Sequence, residues 1–301
     1  MATTAPGIKI KSKRQYTGMT RGRRITQNLT LIIPLVIFIF LILTAIFANF
    51  IAPYPYAKTS MAQRWAPPGT PGLNGQPTHL LGTDSLGRDV LSRIIYGARV
   101  SLSVSLAVIA ITATLGTILG VASGYLGGNV DSVIMRITDI ALSFPGLLLA
   151  MLLAVSMGPG FITVVMALSI LGWAGYTRLV RGESLRIRNS DFVAQARVAG
   201  ASPFRIMFVH IFPNVVNPLI IIMTMAIGMM ILAESGMSYL GIGIPPPMPS
   251  WGSMVADGRN YLDTAWWISL FPGICIGLVV LSGNFLGDWL RDKMDPRLRQ
   301  L

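Results

Sequence analysis

Apolar residues follow one another along most of this chain in six long runs, which short polar stretches separate. The runs cover approximately residues 29–50, 100–126, 137–157, 159–177, 215–241 and 267–287. A helix needs about 20 residues to cross roughly 30 Å of hydrocarbon, and each run is close to that length or longer. The pattern therefore predicts an all-α polytopic membrane protein with six transmembrane helices. An even number of spans puts both termini on the same side.

The composition agrees with a membrane protein, since 52% of the 301 residues are hydrophobic and only 12% are charged. Ordinary soluble domains carry about 25% charged residues. The single cysteine, Cys275, lies in an apolar run, which excludes an intramolecular disulfide and a cysteine-based zinc site. The net charge of +12 is concentrated in tails and loops between the apolar runs, as expected for membrane topology. We therefore expect lipid, and no nucleic acid, as a partner.

The distribution of basic residues predicts the orientation. Of the 24 Lys and Arg residues, 18 lie in segments 1–28, 127–136, 178–214 and 288–301, and the other six lie in segments 51–99 and 242–266. The positive-inside rule then places both termini and segment 178–214 in the cytoplasm. The first run follows a basic stretch, as a signal peptide would. It is too long for the usual core of about 7–15 residues, and no clean cleavage site follows it, which favours a membrane span.

These assignments divide the chain into a basic cytoplasmic tail (1–28), a first span (29–50), an extracytoplasmic loop (51–99), a five-helix core (100–287) and a cytoplasmic tail (288–301). The core includes the large cytoplasmic loop 178–214. The outer loop 242–266 is rich in proline and carries Tyr261, Trp266 and Trp267. It suits either a rigid loop at the membrane interface or a docking surface for an outside partner.

The cytoplasmic loop contains a polar segment, DFVAQARVAGASPFRIMFVHIFP, that spans residues 191–213 and that we name the hook. Asn189 or Ser190 can cap a first helix, and Gly200 is a natural stop for it. Ser202 can cap a second helix, with Pro203 at its first position, where a missing N–H costs nothing.

Pro213 should end that second helix, because its ring disfavours helical geometry in the preceding residue. The hook is thus predicted to be a helix–turn–helix between two apolar spans. A compact helical element on the basic side of a membrane protein suits docking of a soluble partner.

Four glycines, Gly116, Gly120, Gly124 and Gly128, recur at every fourth residue from the second run onward. This spacing places small residues along one helical face, where another helix can approach closely. Such a seam serves either as simple packing or as a surface along which helices slide during transport, and the sequence does not separate the two.

Proline and carboxylates inside the apolar runs are candidates for function. Pro145 should kink or loosen the third span. Intramembrane carboxylates are costly, so a functional role is the default hypothesis for Asp139 and Glu234. Asp139 lies near the boundary, where an interfacial ion pair with Arg136 explains it. Glu234 suits a polar path or gate together with Ser238 and Tyr239, although Gly236 and Ser238 could also house it in a packed interface.

Several catalytic and metal-binding patterns are missing from the sequence. A P-loop needs Gly-Lys-Ser/Thr to wrap nucleotide phosphates, and none of the five lysines follows a glycine. His79 and His210 fall on opposite sides of the predicted membrane, so they form no metal pair. The chain has no GxSxG or HExxH motif either. An intramembrane enzyme stays open as an alternative that no motif supports, and we expect a chain that is not an enzyme and binds no metal or cofactor.

Four separated stretches resemble dipeptide/oligopeptide ABC-importer permeases, of the subunit type with a long first outer loop. They are GTDSLGRDVLSRIIYGARVSL (82–102), DSVIMRITDIALSFPGLLLA (131–150), SYLGIGIPPPMPSWGSM (238–254) and GDWLRDKMDPRL (287–298). Their order along the chain also fits. The resemblance implies the type I ABC-importer permease fold, with six transmembrane helices and a cytoplasmic coupling loop.

The hook resembles the coupling motif of that family, in which Glu-Ala-Ala is followed by Gly and, thirteen residues later, by Pro. Gly200 and Pro213 fit this spacing. Ala194, Gln195 and Ala196 occupy the triplet, so the usual Glu is replaced by Ala194. The resemblance implies that the hook contacts an ATPase through these residues and their neighbours, which are Asp191, Arg197, Ala201, Ser202 and Arg205.

The resemblance also implies partners. They are a homologous second permease, two cytoplasmic ATPase subunits that bind ATP and magnesium, and an extracytoplasmic substrate-binding protein. Relatives of this architecture carry dipeptides, oligopeptides, glutathione or nickel complexes, and peptides are the expected substrate. Two alternatives remain open, namely an ion-coupled secondary transporter with Glu234 as its coupling carboxylate and an assembly protein that recruits cytoplasmic factors without moving solute.

Overall fold

The structure, a computed structural model, describes residues 21–294, with side chains from residue 32 on. Its helices are α1 (Arg21–Ile46), α2 (Ala48–Ile51), α3 (Val90–Leu126), α4 (Gly128–Ser143), α5 (Gly146–Met157), α6 (Phe161–Arg188), α7 (Asp191–Val198), α8 (Pro203–Arg205), α9 (Phe212–Tyr239), α10 (Trp251–Gly258), α11 (Leu262–Ala265) and α12 (Trp267–Met294). A π-helical segment, Ile206–Ile211, joins α8 to α9 without a break. The two β-bridges of the described residues, Thr70 with His79 and Thr83 with Asp89, are isolated.

Four helices of the described chain are long and apolar enough to cross a membrane: α3, α6, the continuous run Pro203–Tyr239 and α12. The pair α4 and α5 passes the same criterion only when taken together, and it is bent by 81°. A shorter apolar helix, Ile32–Ile46, forms the end of α1. The six apolar runs all fall on helices, while the structure itself gives four spans, or five with the bent pair.

Several boundaries differ from those that the sequence predicted. Segment 127–136 is not a loop, because α4 begins at Gly128 directly after the turn at Gly127. Helix α3 begins at Val90, ten residues before the predicted start of the second span. Helix α12 continues to Met294, so the first part of the predicted tail 288–301 is helical. The tail's last residues, 295–301, and residues 1–20 lie outside the described part.

Pro145 breaks the third apolar run, as predicted. The residue before it, Phe144, has φ −82° and ψ 133°, the extended geometry that a following proline imposes. Helix α4 therefore ends at Ser143, and α5 starts again at Gly146. The result is two helices that meet at 81°, either as one broken span or as a re-entrant pair.

Helices α3 and α6 run parallel and pack closely through the predicted glycine seam. A Cβ atom on Gly116, Gly120 or Gly124 would lie less than 3.0 Å from atoms of α6. Gly128 does not belong to this seam, which corrects the prediction: α3 has already ended, and no atom lies within 4 Å of the position of its Cβ. Its φ of +54° instead helps the chain turn from α3 into α4.

Candidate functional site

The hook folds locally much as its sequence predicted. Helix α7 ends in a Schellman motif, in which Gly200 N–H donates to the Arg197 carbonyl and Ala201 N–H donates to the Ala196 carbonyl. Gly200 has φ +79°, a conformation that glycine adopts without cost. Ser202 then starts α8, where its side chain accepts a hydrogen bond from Arg205 N–H at 3.3 Å.

The start of α7 differs in one detail. Ser190 occupies the N-cap position, but its hydroxyl donates to the Ile187 carbonyl at 2.6 Å and caps no N–H of α7. Asn189 lies one residue earlier, at the end of α6. The short break between α6 and α7 is therefore stabilised by a bond back to α6.

The second helix of the hook does not end at Pro213, which corrects the prediction. The chain passes through the π-helical segment Ile206–Ile211 directly into α9, and Pro213 lies in the first turn of α9. Phe212 N–H donates to the Met207 carbonyl, five residues earlier. In a regular α-helix the proline ring would collide with the carbonyl four residues before it. The wider π turn shifts the register, so the helix accommodates Pro213 instead of stopping there.

Four buried side chains anchor the hook in the same apolar cluster as parts of α3 and α6, namely Val193, Ile206, Met207 and Ile211. Other apolar side chains of the hook are exposed, among them Val198 (90% exposed) and Phe204 (71% exposed), and Phe204 also lines an apolar groove with residues of α3 and α9. The predicted coupling residues are all exposed, apart from Ala196 and Ala201, which are half-buried. The full set is Asp191, Ala194, Gln195, Ala196, Arg197, Gly200, Ala201, Ser202, Arg205 and Pro213.

Ion pairs connect α4 to α6 close to the hook. Asp131 accepts hydrogen bonds from the Arg181 Nε and Nη2 atoms at 2.5 and 2.6 Å, and from the hydroxyl of Ser123. Asp139 pairs with Arg178 at 2.6 Å and not with Arg136, so the predicted partner of Asp139 was wrong. Its true partner lies 39 residues away and reaches Asp139 through helix packing.

Glu234 is completely buried where α3, α9 and the start of α10 meet. It accepts hydrogen bonds from the Ser238 hydroxyl at 2.7 Å and from the Ser101 hydroxyl at 3.1 Å. Ser250, the N-cap of α10, lies 3.3 Å from Ser238 through their hydroxyls. Glu234 therefore lines no open path in this conformation, and the packed-interface alternative describes it better.

Ser238 and Tyr239 lie beside a cleft of about 580 Å³ at the far end of α9 from the hook, which we name the mouth cleft. Its walls come from the end of α9, the loop that follows, α10, the turn after α10 and the turn before α6. The Arg259 guanidinium carbon lies 5.3 Å from the centre of the Tyr239 ring. The predicted path residues are thus divided, with Ser238 and Tyr239 at the cleft and Glu234 behind it.

Sequence reasoning missed a network of charges next to this cleft, in which Asp84, Arg88 and Arg93 are buried and the Asp257 side chain is exposed (41%). Asp84 pairs with Arg88 at 2.6 Å and with Arg93 at 3.2 Å, and both arginines also contact Asp257 of α10, at 3.6 and 3.4 Å. Burial raises the pKa of the Asp257 carboxyl above its ordinary value, while the two arginines lower it. The four charges inside GTDSLGRDVLSR were the available signal.

A second buried cluster fixes the outer loop to the start of α3. Asp89 caps α3 by accepting a hydrogen bond from Ser92 N–H, and its other oxygen lies 2.8 Å from His79 Nδ1. The His79 ring stacks on Tyr54, with the ring centres 4.8 Å apart. Together the two clusters make the outer loop a packed cap over the ends of α3 and α10.

Two family models match the chain. The model for the inner membrane component of binding-protein-dependent transport systems covers residues 116–300, and the model for the N-terminal transmembrane domain of oligopeptide transport permease C covers residues 22–68. A solved chain of the MetNI methionine ABC transporter in an inward-facing conformation has a similar fold, with a TM-score of 0.53 at 15% identity. That likeness covers 66% of this chain and 96% of the solved one.

Curated relatives agree over nearly the whole length. A putative peptide transport system permease of Brucella abortus biovar 1 (strain 9-941) is 42% identical over 92% of this chain and 91% of its own length. The dipeptide permease DppC of Bacillus subtilis (strain 168) is 39% identical over 92% of this chain and 85% of its own. The oligopeptide permease OppC of the same strain is 36% identical over 99% and 96%. The chain therefore belongs to the family of inner membrane components of binding-protein-dependent transport systems, in its dipeptide and oligopeptide permease branch.

Proposed function

We propose that this chain is one permease subunit of an ATP-driven importer for dipeptides or oligopeptides. It would form half of the translocation pathway with a homologous second permease. Two cytoplasmic ATPase subunits, with their ATP and magnesium, would supply the energy, and an extracytoplasmic binding protein would deliver the peptide. The hook, both termini and the basic segments would face the cytoplasm of a bacterial inner membrane.

The hook carries this proposal. Its buried side chains fix it to α3 and α6, and it also carries exposed apolar side chains, among them Val198 and Phe204. Exposed apolar side chains rimmed by polar residues are typical of a protein interaction site. The second helix of the hook is also the beginning of the run Pro203–Tyr239. A push on the hook is therefore delivered to a membrane span without an intervening loop.

The energetic scheme follows from what the chain has and lacks. The sequence contains no Gly-Lys-Ser/Thr motif, so nucleotide chemistry by a P-loop falls to a partner. Closure of the ATPase pair would displace the hook and bias the spans between inward-open and outward-open states. The glycine seam of α3 and α6 would be the surface along which the helices adjust.

The peptide substrate rests on the relatives, whose names assign them peptides, dipeptides and oligopeptides. Glutathione or a nickel complex is the alternative cargo. Competition of unlabelled di- and oligopeptides, glutathione and nickel against labelled dipeptide uptake separates these possibilities.

The hook is tested by placing charge on its exposed side. Val198→Glu and Arg205→Glu should leave the amount of folded chain unchanged and lower both ATPase capture and peptide uptake at least fivefold. Met61→Glu is the matched control, because Met61 is also exposed (61%) but lies in the outer loop. Normal ATPase capture and uptake in both hook variants would remove the hook from the coupling role.

Affinity purification from the native membrane, followed by mass spectrometry, tests the assembly. Recovery of a second permease and P-loop ATPases supports the importer. Uptake that survives ATP depletion but collapses with the proton gradient would favour a secondary transporter. Normal uptake after deletion of the gene would leave the assembly protein as the better account.

A further inference from the structure

We propose that the mouth cleft binds the C-terminal carboxylate of the transported peptide, with Arg259 as the group that receives it. This inference deepens the proposed function and rests on it. The cleft volume of about 580 Å³ lies within the range of about 300–1,000 Å³ that small-molecule sites occupy. Such a concave site suits a short peptide better than the flat contact of a docked protein.

The charges around the cleft are unbalanced, and the imbalance points to an anion. Three guanidinium groups, those of Arg88, Arg93 and Arg259, lie in or beside the cleft together with the carboxylates of Asp84 and Asp257. Arg88 and Arg93 are occupied, because each of them pairs with both carboxylates. Among the described residues, no carboxylate lies within 4.0 Å of Arg259. One positive charge therefore remains for a ligand.

The position of Arg259 prepares it for a carboxylate. Its guanidinium lies over the Tyr239 ring, 5.3 Å from the ring centre, and the side chain is exposed at the cleft wall. A stacked guanidinium keeps its N–H edge available, and its planar fork matches the two oxygens of a carboxylate. The Tyr239 ring already restricts the Arg259 side chain, so that less conformational freedom is lost when a ligand binds.

The cleft offers no unpaired carboxylate to the N-terminal ammonium of a peptide. Asp257 is the carboxylate that lines the cleft, and two arginines already neutralise it. A peptide ammonium would have to compete with both. The remaining lining is largely apolar or uncharged, including Ile244, Pro246 and Met248, which suits side chains of varied chemistry. The cleft thus selects the carboxylate end and tolerates the rest of the peptide.

The direct test is saturation-transfer NMR on the complete permease–ATPase complex, purified without its binding protein, because this method detects weak ligands. The probes are alanyl-alanine and its C-terminal amide. Alanyl-alanine should give a signal with the wild-type complex, and Arg259→Gln should lower it at least fivefold. The amide should give a weak signal that Arg259→Gln leaves unchanged.

Lys58→Gln is the matched control, since the Lys58 ammonium also lies over an aromatic ring, at 5.1 Å from the centre of Tyr54, but does not line the cleft. It should keep the wild-type signal. Equal signals from wild type and Arg259→Gln, or from the peptide and its amide, would overturn the assignment. So would an Arg259→Gln complex that loses only its capture of the loaded binding protein, because the cleft would then be a protein-docking surface.

Uptake into proteoliposomes with the loaded binding protein distinguishes a failure of the proposed function from a failure of the carboxylate site alone. A wild-type complex that takes up no peptide overturns the proposed function. Normal wild-type uptake together with an unchanged NMR signal in Arg259→Gln overturns the carboxylate site alone.

Discussion

The contact between α3 and α6 depends on the absence of a side chain at Gly120. A Cβ at this position would lie 2.6 Å from the Val180 Cβ and 2.8 Å from the Thr177 carbonyl oxygen. The second neighbour is backbone and cannot rotate away, so Gly120→Ala must separate the two helices. Gly175, on an exposed part of α6, is the natural comparison, because no atom lies within 4 Å of the position of its Cβ.

Two opposing effects determine how much each substitution changes the free energy of unfolding. Replacing glycine by alanine inside a helix stabilises it by about 1 kcal/mol. Overpacking a tight contact costs about 1–3 kcal/mol, and the backbone neighbour places Gly120 toward the upper part of that range. Gly120→Ala should therefore destabilise the protein by about 1–2 kcal/mol, whereas Gly175→Ala should stabilise it by up to about 1 kcal/mol.

Thermal unfolding of the detergent-purified chain, followed by size-exclusion chromatography, measures both changes. One kcal/mol corresponds to a shift in Tm of about 2–4 °C for domains of 150–250 residues, so the two variants should differ by several degrees. Uptake should fall in Gly120→Ala at temperatures where the protein remains folded, if helix adjustment along the seam is part of transport. A Gly120→Ala protein that melts at or above the wild type, alongside Gly175→Ala, would refute the packing argument.

Two buried polar clusters give further predictions. Glu234→Ala should lower stability by about 1–3 kcal/mol for each hydroxyl left without an acceptor, whereas Glu234→Gln, which keeps an acceptor oxygen, should lose less in the same melting assay. A Glu234→Gln protein that melts no higher than Glu234→Ala would contradict this account. Arg93→Gln leaves the buried Asp84 short of one partner and should cost about 3–5 kcal/mol, the usual penalty for breaking a buried ion pair. The same melting assay measures this loss, and an Arg93→Gln protein that melts together with the wild type would contradict this account.

Local rules predicted much of the fold because they act between neighbours in the chain. Pro145 broke its helix, and Gly200 ended α7 in the left-handed conformation. The same rules failed at Pro213, since they assume α-helical register and a π turn removes the collision that they describe. Gly128 continues the four-residue spacing in sequence, but its helix has already ended.

Such local rules do not predict contacts between side chains that lie far apart in the chain. Asp139 finds Arg178 only because α4 and α6 pack at a particular register. The mouth cleft depends in the same way on how α10 folds against the end of α9 and the start of α3. In the sequence its charges look like ordinary loop residues, and nothing local marks Arg259 as the cleft arginine that has no carboxylate within 4.0 Å among the described residues.

The unbroken run from Pro203 to Tyr239 has a mechanical consequence. Its 37 residues form a rod of about 55 Å, at 1.5 Å per residue. One tip carries the hook, and the other tip carries Tyr239 at the mouth cleft. If the rod pivots near its middle, a tilt of about 5° moves each tip by about 2.5 Å, in opposite directions. A rigid helix that pivots in this way couples its two ends directly, without a chain of intermediate contacts. When the cytoplasmic end moves in one direction, the outer end moves in the opposite direction.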